Sequence, residues 1–285
     1  MTIAITAATG QLGQLVVEDL LRRVPANELV LAVRTPAKAA AFLNRGVEVR
    51  RADYDEPDTL ATAFAGVDKV LLISGSEVGK RVPQHTAAVH AASTAGVSHL
   101  IYTSAPFADT TTLSLAPEHK ATEQVIRTSG VPFTFLRNGW YTENYASRIA
   151  GAVETGVLFG SAGQGRVASA ARANYAAAAV AALTGTGHEN KIYELSGDTA
   201  WSFPELAATV AEVAGKAVEY QDIPLEKFAE VLQSAGLPGP AAAFFAALDV
   251  EISQGALAAT TGDLSTLIGR KTTPVRETVA AIVKG

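Results

Sequence analysis

Six short strand-like runs alternate with helical stretches over the first 137 residues, and that rhythm constrains the fold more than any other feature of the chain. The strands are expected at Ile3–Ile5, Leu29–Val33, Val47–Arg51, Val70–Ile73, His99–Thr103 and Pro132–Leu136. Helices are expected at Leu12–Leu21, Pro36–Leu43, Pro57–Phe64, Pro83–Ala95 and Pro117–Thr128. A proline in the first turn removes an N–H that has no partner there, and glycines such as Gly46 and Gly96 close helices. Asp55 is a candidate cap for the third helix. Val70-Leu71-Leu72-Ile73 is apolar without alternation, as a parallel strand covered on both faces requires. Repeated βα units joined by right-handed crossovers imply an α/β fold, a Rossmann-type doubly wound parallel sheet.

After Leu136 the rhythm is lost. Glycines cluster from Gly151 to Gly165, a helix is expected from Tyr175 to Leu183, and a strand at Ile192–Leu195. Ser202 with Glu205 has the spacing of a capping box ahead of Leu206–Val213. Val218–Gln221 suits a short strand, followed by two or three helices around the breaker cluster Gly236–Pro240. The division expected is a Rossmann domain of residues 1–137 plus 166–197, and a smaller α/β lobe of 138–165 plus 198–285.

Composition narrows the chemistry. There is no cysteine among the 285 residues, which excludes a disulfide scaffold, a thiolate metal site and a thiol nucleophile. The net charge of −5 argues against nucleic acid as a partner, because phosphate backbones bind basic faces. His85 and His90 are five apart, which suits no metal pair on a helix face, so no metal is expected. No apolar run is long enough to span a bilayer, and the start resembles no export signal, so a cytoplasmic protein without membrane contact is expected. The oligomeric state is left open, a homo-oligomer included.

The turn after the first strand is Thr6-Ala7-Ala8-Thr9-Gly10-Gln11-Leu12-Gly13, and it opens a helix within a βαβ unit. Gly10 lets the backbone approach a pyrophosphate, and Gly13 lets helix and strand pack closely. The helix N-terminus offers N–H groups to phosphate, and Thr9 and Gln11 can add donors. Ala7 stands where the usual motif has its first glycine. If that position needs a positive φ, alanine costs about 1–2 kcal/mol there. Arg34 directly follows the second strand, where an NAD-specific site carries a carboxylate for the ribose 2′-hydroxyl. An arginine there attracts a 2′-phosphate, so NADPH is the expected cofactor; the competing reading is a solvated arginine at a strand end. Asp53 and Tyr54 end the third strand beside the expected adenine. Ser74-Gly75-Ser76 ends the fourth, where the strand order of such sheets reverses.

These stretches, together with Asn138-Gly139-Trp140-Tyr141-Thr142-Glu143-Asn144-Tyr145 and Lys191–Asp198, resemble the NmrA-like branch of the atypical short-chain dehydrogenase/reductases. Within that branch the chain is similar to the type 2 NADPH:quinone oxidoreductases. The resemblance spans nearly the whole chain. It implies that Ala7–Leu12, Arg34, Ser74–Ser76, Asn138–Glu143 and Arg172 line an NADPH site, with a quinone between the lobes over the nicotinamide. Ala171 and Asn174 depart from the threonine and aspartate common in the family, although an asparagine can still cap the following helix.

The tyrosine–lysine acid of the commoner short-chain dehydrogenases is missing. Ala116 stands four residues before Lys120, and Pro106 four after Tyr102. A quinone needs no such acid, because hydride addition yields an anion stabilised by its own aromatic ring. The protein then has to hold a flat acceptor against the nicotinamide. Trp140, Tyr141 and Phe107 suit that task, or else ordinary packing. Asn138 suits the nicotinamide, or else a turn beside Gly139. His119 is the one candidate proton donor, and a structural histidine is the competing reading.

The activity expected is NADPH-dependent hydride transfer to a small-molecule quinone, without flavin or metal. The alternatives are a reductase of triphenylmethane-type dyes and a non-catalytic NADP-sensing regulator. Isothermal titration should show tighter binding of NADPH than of NADH, and Arg34→Ala should erase the difference. An unchanged preference in that variant would remove Arg34 from the cofactor site.

Overall fold

A computed structural model describes residues 1–75, 77 and 79–285. In chain order the elements begin β1 (Ile3–Thr6), α1 (Gln11–Leu20), β2 (Leu29–Val33), α2 (Ala40–Leu43), β3 (Glu48–Arg51) and α3 (Pro57–Phe64). They continue β4 (Lys69–Leu72), α4 (Arg81–Thr94), β5 (His99–Ser104), α5 (Ala116–Thr128) and β6 (Phe133–Asn138). Next come α6 (Ala146–Thr155), β7 (Val157–Gly160), β8 (Arg166–Val167), α7 (Arg172–Thr184), β9 (Lys191–Leu195) and β10 (Trp201–Ser202). The last are α8 (Phe203–Ala214), β11 (Glu219–Asp222), α9 (Leu225–Ser234), α10 (Gly239–Ser253), α11 (Asp263–Ile268) and α12 (Val275–Lys284).

The chain divides into two compact units. The first comprises Met1–Asp109, Leu115–Asn138 and Ala173–Leu195. It holds a seven-stranded sheet in the order β3-β2-β1-β4-β5-β6-β9. Every pairing in it is parallel. The expected doubly wound sheet is therefore present, and the late strand β9 completes it beside β6. β1, β2, β5 and β6 are buried along their whole length. That burial explains why they appear as continuous apolar runs and not as alternating ones. Strand order reverses between β1 and β4, so the loops after these two strands flank the crevice where such sheets bind ligands.

The second unit comprises Thr110–Ser114, Gly139–Arg172 and Ser196–Gly285. Residues 166–172, grouped with the sheet on sequence, fall here. β8 pairs antiparallel with β10, and Ala170 pairs with Tyr141, which ties the segment to this unit. A second small sheet pairs β7 with β11 in parallel. Four helices, α9 to α12, follow β11 where two or three were expected. The Ser202 capping box is complete. Ser202 Oγ accepts from Glu205 N, and Glu205 Oε2 accepts from Ser202 N at 2.7 Å.

Other local expectations need correction. Pro36–Ala39 is a 3₁₀ turn, leaving only four residues of α-helix in α2. Asp55 does not cap α3. Glu56 holds the N-cap position without a side-chain bond, and the Asp55 N–H is itself bound by Asp53 Oδ1 at 3.1 Å. Among the described residues, no helix is long and apolar enough to cross a membrane.

Candidate active site

The loop after β1 is built from its backbone outward. Ala7 adopts φ +47°, so this position does need the left-handed conformation that glycine usually supplies. Gly10 N–H closes the turn on Ala7 O at 2.9 Å. A Cβ on Gly13 would lie 2.5 Å from Ala7 O and 2.7 Å from Ala8 Cα, so only glycine lets α1 sit this close to the loop. Gly10 itself is extended, and a Cβ there would crowd Ala7 O at 3.2 Å. Thr6, Ala8 and Leu12 are buried beneath the loop, while Gly10 and Gln11 are exposed above it. The first turn of α1 has no side-chain cap and no acidic residue. A glycine-lined cradle in front of open N–H groups fits a dinucleotide pyrophosphate.

Thr6 couples this loop to the one after β4. Its hydroxyl accepts from Ile73 N–H at 3.0 Å and donates to Leu71 O at 3.2 Å. Ser74 N–H donates to Thr103 Oγ1 at 2.9 Å, and Gly75 N–H donates to His85 Nε2 at 3.0 Å. Arg81 Nε donates to Gly75 O at 3.0 Å, and its Nη1 pairs with Glu118 at 2.6 Å. The other oxygen of Glu118 accepts from Gly79 N–H at 2.9 Å. Ser76 lies outside the described residues. Sequence reasoning missed Thr103, His85, Arg81 and Glu118 as supports of this loop. They reach it from β5, α4 and α5, and no local motif marks such long-range partners.

Arg34 is exposed at the end of β2, with Nη1 3.5 Å from Glu77 Oε1. Asp53 N–H donates to Thr59 Oγ1 at 2.8 Å, which fixes the Asp53 backbone at the carboxyl edge of the sheet. Tyr54 is half-buried beside it, 6.0 Å from the His85 ring. Asn138 is buried at the end of β6. Phe107 is half-buried beyond β5 and has φ +48°.

The remaining candidates belong to the second unit. Thr142 N–H donates to Ala170 O at 3.0 Å, and Ala170 N–H donates to Trp140 O at 3.2 Å. Thr142 Oγ1 and Ser169 Oγ lie 2.8 Å apart. Both oxygens of Glu143 accept the Arg172 N–H at 2.9 Å, so Glu143 supplies the carboxylate at the start of α7. Asn174 lies buried at the third position of α7, inside the helix and not at the residue that precedes it. The Arg172 guanidinium sits 4.9 Å over the Tyr141 ring, and Gly139 precedes this knot.

His119 is placed badly for an acid. It is 6% exposed, with Nδ1 2.8 Å from the hydroxyl of fully buried Tyr102. Burial lowers the pKa of His119 and of His85 to about 3. His85 must be neutral to accept from Gly75, which leaves Nδ1 to donate to Thr122 Oγ1 at 3.1 Å. Lys120 Nζ is turned to Asp109 O at 3.3 Å.

Residues 7–186 match the family model described as NAD(P)H-binding. Quinone oxidoreductase 2 of Escherichia coli strain K12 is 49% identical over 278 residues, which is 98% of this chain and 97% of that protein. The crystal structure of an NADPH-dependent quinone oxidoreductase from Escherichia coli complexed with NADPH matches with a TM-score of 0.96 at 49% identity, covering 99% of each chain. The triphenylmethane reductase of Citrobacter sp. complexed with NADP(H) matches with a TM-score of 0.96 at 43% identity, covering 99% of this chain and all of that one.

Ala7→Gly should stabilise the fold by about 0.5–1 kcal/mol, the relieved φ strain outweighing the added freedom of the unfolded chain. Urea melts check this, and a less stable variant would contradict the strain. The buried histidines set a pH dependence. Their imidazoles titrate near 6.5 when unfolded and near 3 when folded. Between those values the unfolded state holds the extra proton. Stability therefore falls as the pH drops through that window, by about 1.4 kcal/mol per pH unit for each histidine. His119→Phe should remove one such contribution, giving a shallower loss of stability between pH 6 and 4. Parallel curves for variant and wild type would mean that His119 does not stay neutral.

Proposed function

The chain belongs to the NAD(P)H-binding family, and from that premise we propose that it is an NADPH-dependent reductase that delivers hydride directly to a quinone. The likeness along almost the whole chain to a quinone oxidoreductase complexed with NADPH carries this reading. When bound, NADPH supplies a hydride, and the quinone that accepts it together with a proton becomes a hydroquinone.

The chain's own part is to bind and to orient. The α1 N-terminus behind Gly10, with the backbone of Ala7 to Leu12, would hold the pyrophosphate. Arg34 would hold the 2′-phosphate, drawn away from Glu77 by the greater negative charge. Asp53 and Tyr54 would flank the adenine. Ser74 and Gly75 would line the ribose side; Asn138 to Glu143 and Arg172 are the further cofactor contacts that the family resemblance implies. Phe107, Trp140 and Tyr141 would offer flat surfaces to a flat acceptor. No buried acid is required. Tyr102 and His119 satisfy each other away from solvent, so neither is assigned the product oxygen's proton, which water or a weak donor would supply.

A dye reductase is the second reading, favoured by the likeness to the Citrobacter enzyme at 43% identity. Loss of NADPH absorbance, followed with benzoquinone, with a triphenylmethane dye and with no acceptor, separates the two. Turnover with benzoquinone and little with the dye is expected. The reverse order would support the dye reductase. Tight NADPH binding without turnover on either would leave a cofactor-sensing regulator.

A further inference from the structure

One buried arginine in the first unit has more carboxylates than its charge needs. Ser104, Arg137 and Glu194 are register partners across β5, β6 and β9, so their side chains share one face of the sheet. Glu123, from α5, meets the Arg137 guanidinium in two parallel bonds of 2.9 and 2.7 Å. Ser104 Oγ donates to the same carboxylate at 2.7 Å. For neutrality this bidentate pair suffices. Yet Arg137 Nη1 also donates to Glu194 Oε1 at 2.7 Å and to Asp109 Oδ1 at 2.9 Å. Partial burial raises the pKa of Glu194, the cost of a surplus half-buried carboxylate.

Both surplus carboxylates touch one loop. Asp109 belongs to it, and Glu194 Oε2 accepts the Phe107 N–H at 2.8 Å. Phe107 is also one of only three non-glycine residues at positive φ among the described residues, at +48°. A phenylalanine held in that conformation is strained, and such strain persists only where surrounding contacts enforce it. The loop follows β5 at the carboxyl edge of the sheet, the edge where ligands bind in this architecture. Without Glu194 nothing else described here holds the Phe107 N–H.

We propose that Glu194, oriented by Arg137, is a positioning residue for the reductase: it fixes the strained backbone from which the Phe107 ring meets the flat acceptor. The proposal rests on the quinone-reductase reading and adds to it the device that sets the acceptor surface.

Steady-state kinetics with NADPH and benzoquinone, alongside NADPH titration, test it in Glu194→Ala, Glu194→Gln, Phe107→Ala and the double alanine variant. Glu194→Ala should raise the KM for benzoquinone about tenfold, with a smaller change in kcat and an NADPH Kd within about twofold of wild type. Glu194→Gln keeps an oxygen for the Phe107 N–H and should recover most of the loss. Phe107→Ala should raise KM similarly, and Glu194→Ala should add nothing in that background, because the two act as one unit. Full additivity, or a Phe107→Ala variant with unchanged KM, would overturn the proposal. The second result needs no substitution in the buried cluster. Hydrogen exchange at residues 105–109 separates this inference from the function it rests on. Faster exchange there in Glu194→Ala, with β5 and β6 still protected and with Glu194→Gln close to wild type, supports the clamp even if no quinone is reduced. Unchanged exchange in Glu194→Ala refutes it even if quinones are reduced.

Discussion

The missing side chain at Gly13 is the constraint on which the nucleotide end of this molecule depends. With the Ala7 carbonyl 2.5 Å from where a Cβ would stand, α1 can press against the loop only if that atom is absent. The close approach aims the helix N-terminus over the turn, and the turn in turn forces Ala7 into positive φ. Thr6, one residue back, uses its hydroxyl to bind the neighbouring strand end. The close Gly13 contact and the two Thr6 bonds together align the two loops where the strand order reverses.

Support for the second loop is of a different kind. Ser74 and Gly75 are held by side chains from β5 and α4, and Glu118 of α5 braces Arg81. These are part-buried polar contacts, and each is directional. His85 illustrates the logic. As a neutral ring it accepts from a backbone amide on one side and donates to Thr122 on the other, so burial that would be costly for an imidazolium suits it.

The regular parts of this molecule were legible from residue order alone. Continuous apolar strands such as β4, the glycine turn at Thr6–Gly13 and the Ser202–Glu205 cap are set by neighbours within one turn or strand, and the structure contains them. The fold class followed, since a run of βα units leaves few alternatives. Departures arose where the deciding partner is distant in sequence. Pro36 began a helix that stays in 3₁₀ geometry for its first four residues. Asn174 was a plausible cap, yet Glu143, far earlier in the chain, holds the start of α7. His119 had the chemistry of an acid but sits with Tyr102 behind the sheet surface. Glu194 and Arg137 appeared as ordinary strand residues, because only the register of β5, β6 and β9 puts them side by side.

That register has a further consequence. β6 is buried throughout and hydrogen-bonds β5 on one flank and β9 on the other. β9 begins at Lys191, beyond the matched family segment, which ends at residue 186. A chain stopped at that boundary would leave an apolar strand with one row of amides and carbonyls open, a template on which other chains can pair. The sheet-bearing unit therefore extends beyond the matched family segment. While the polypeptide is being made, β6 stays sticky until its last neighbour arrives.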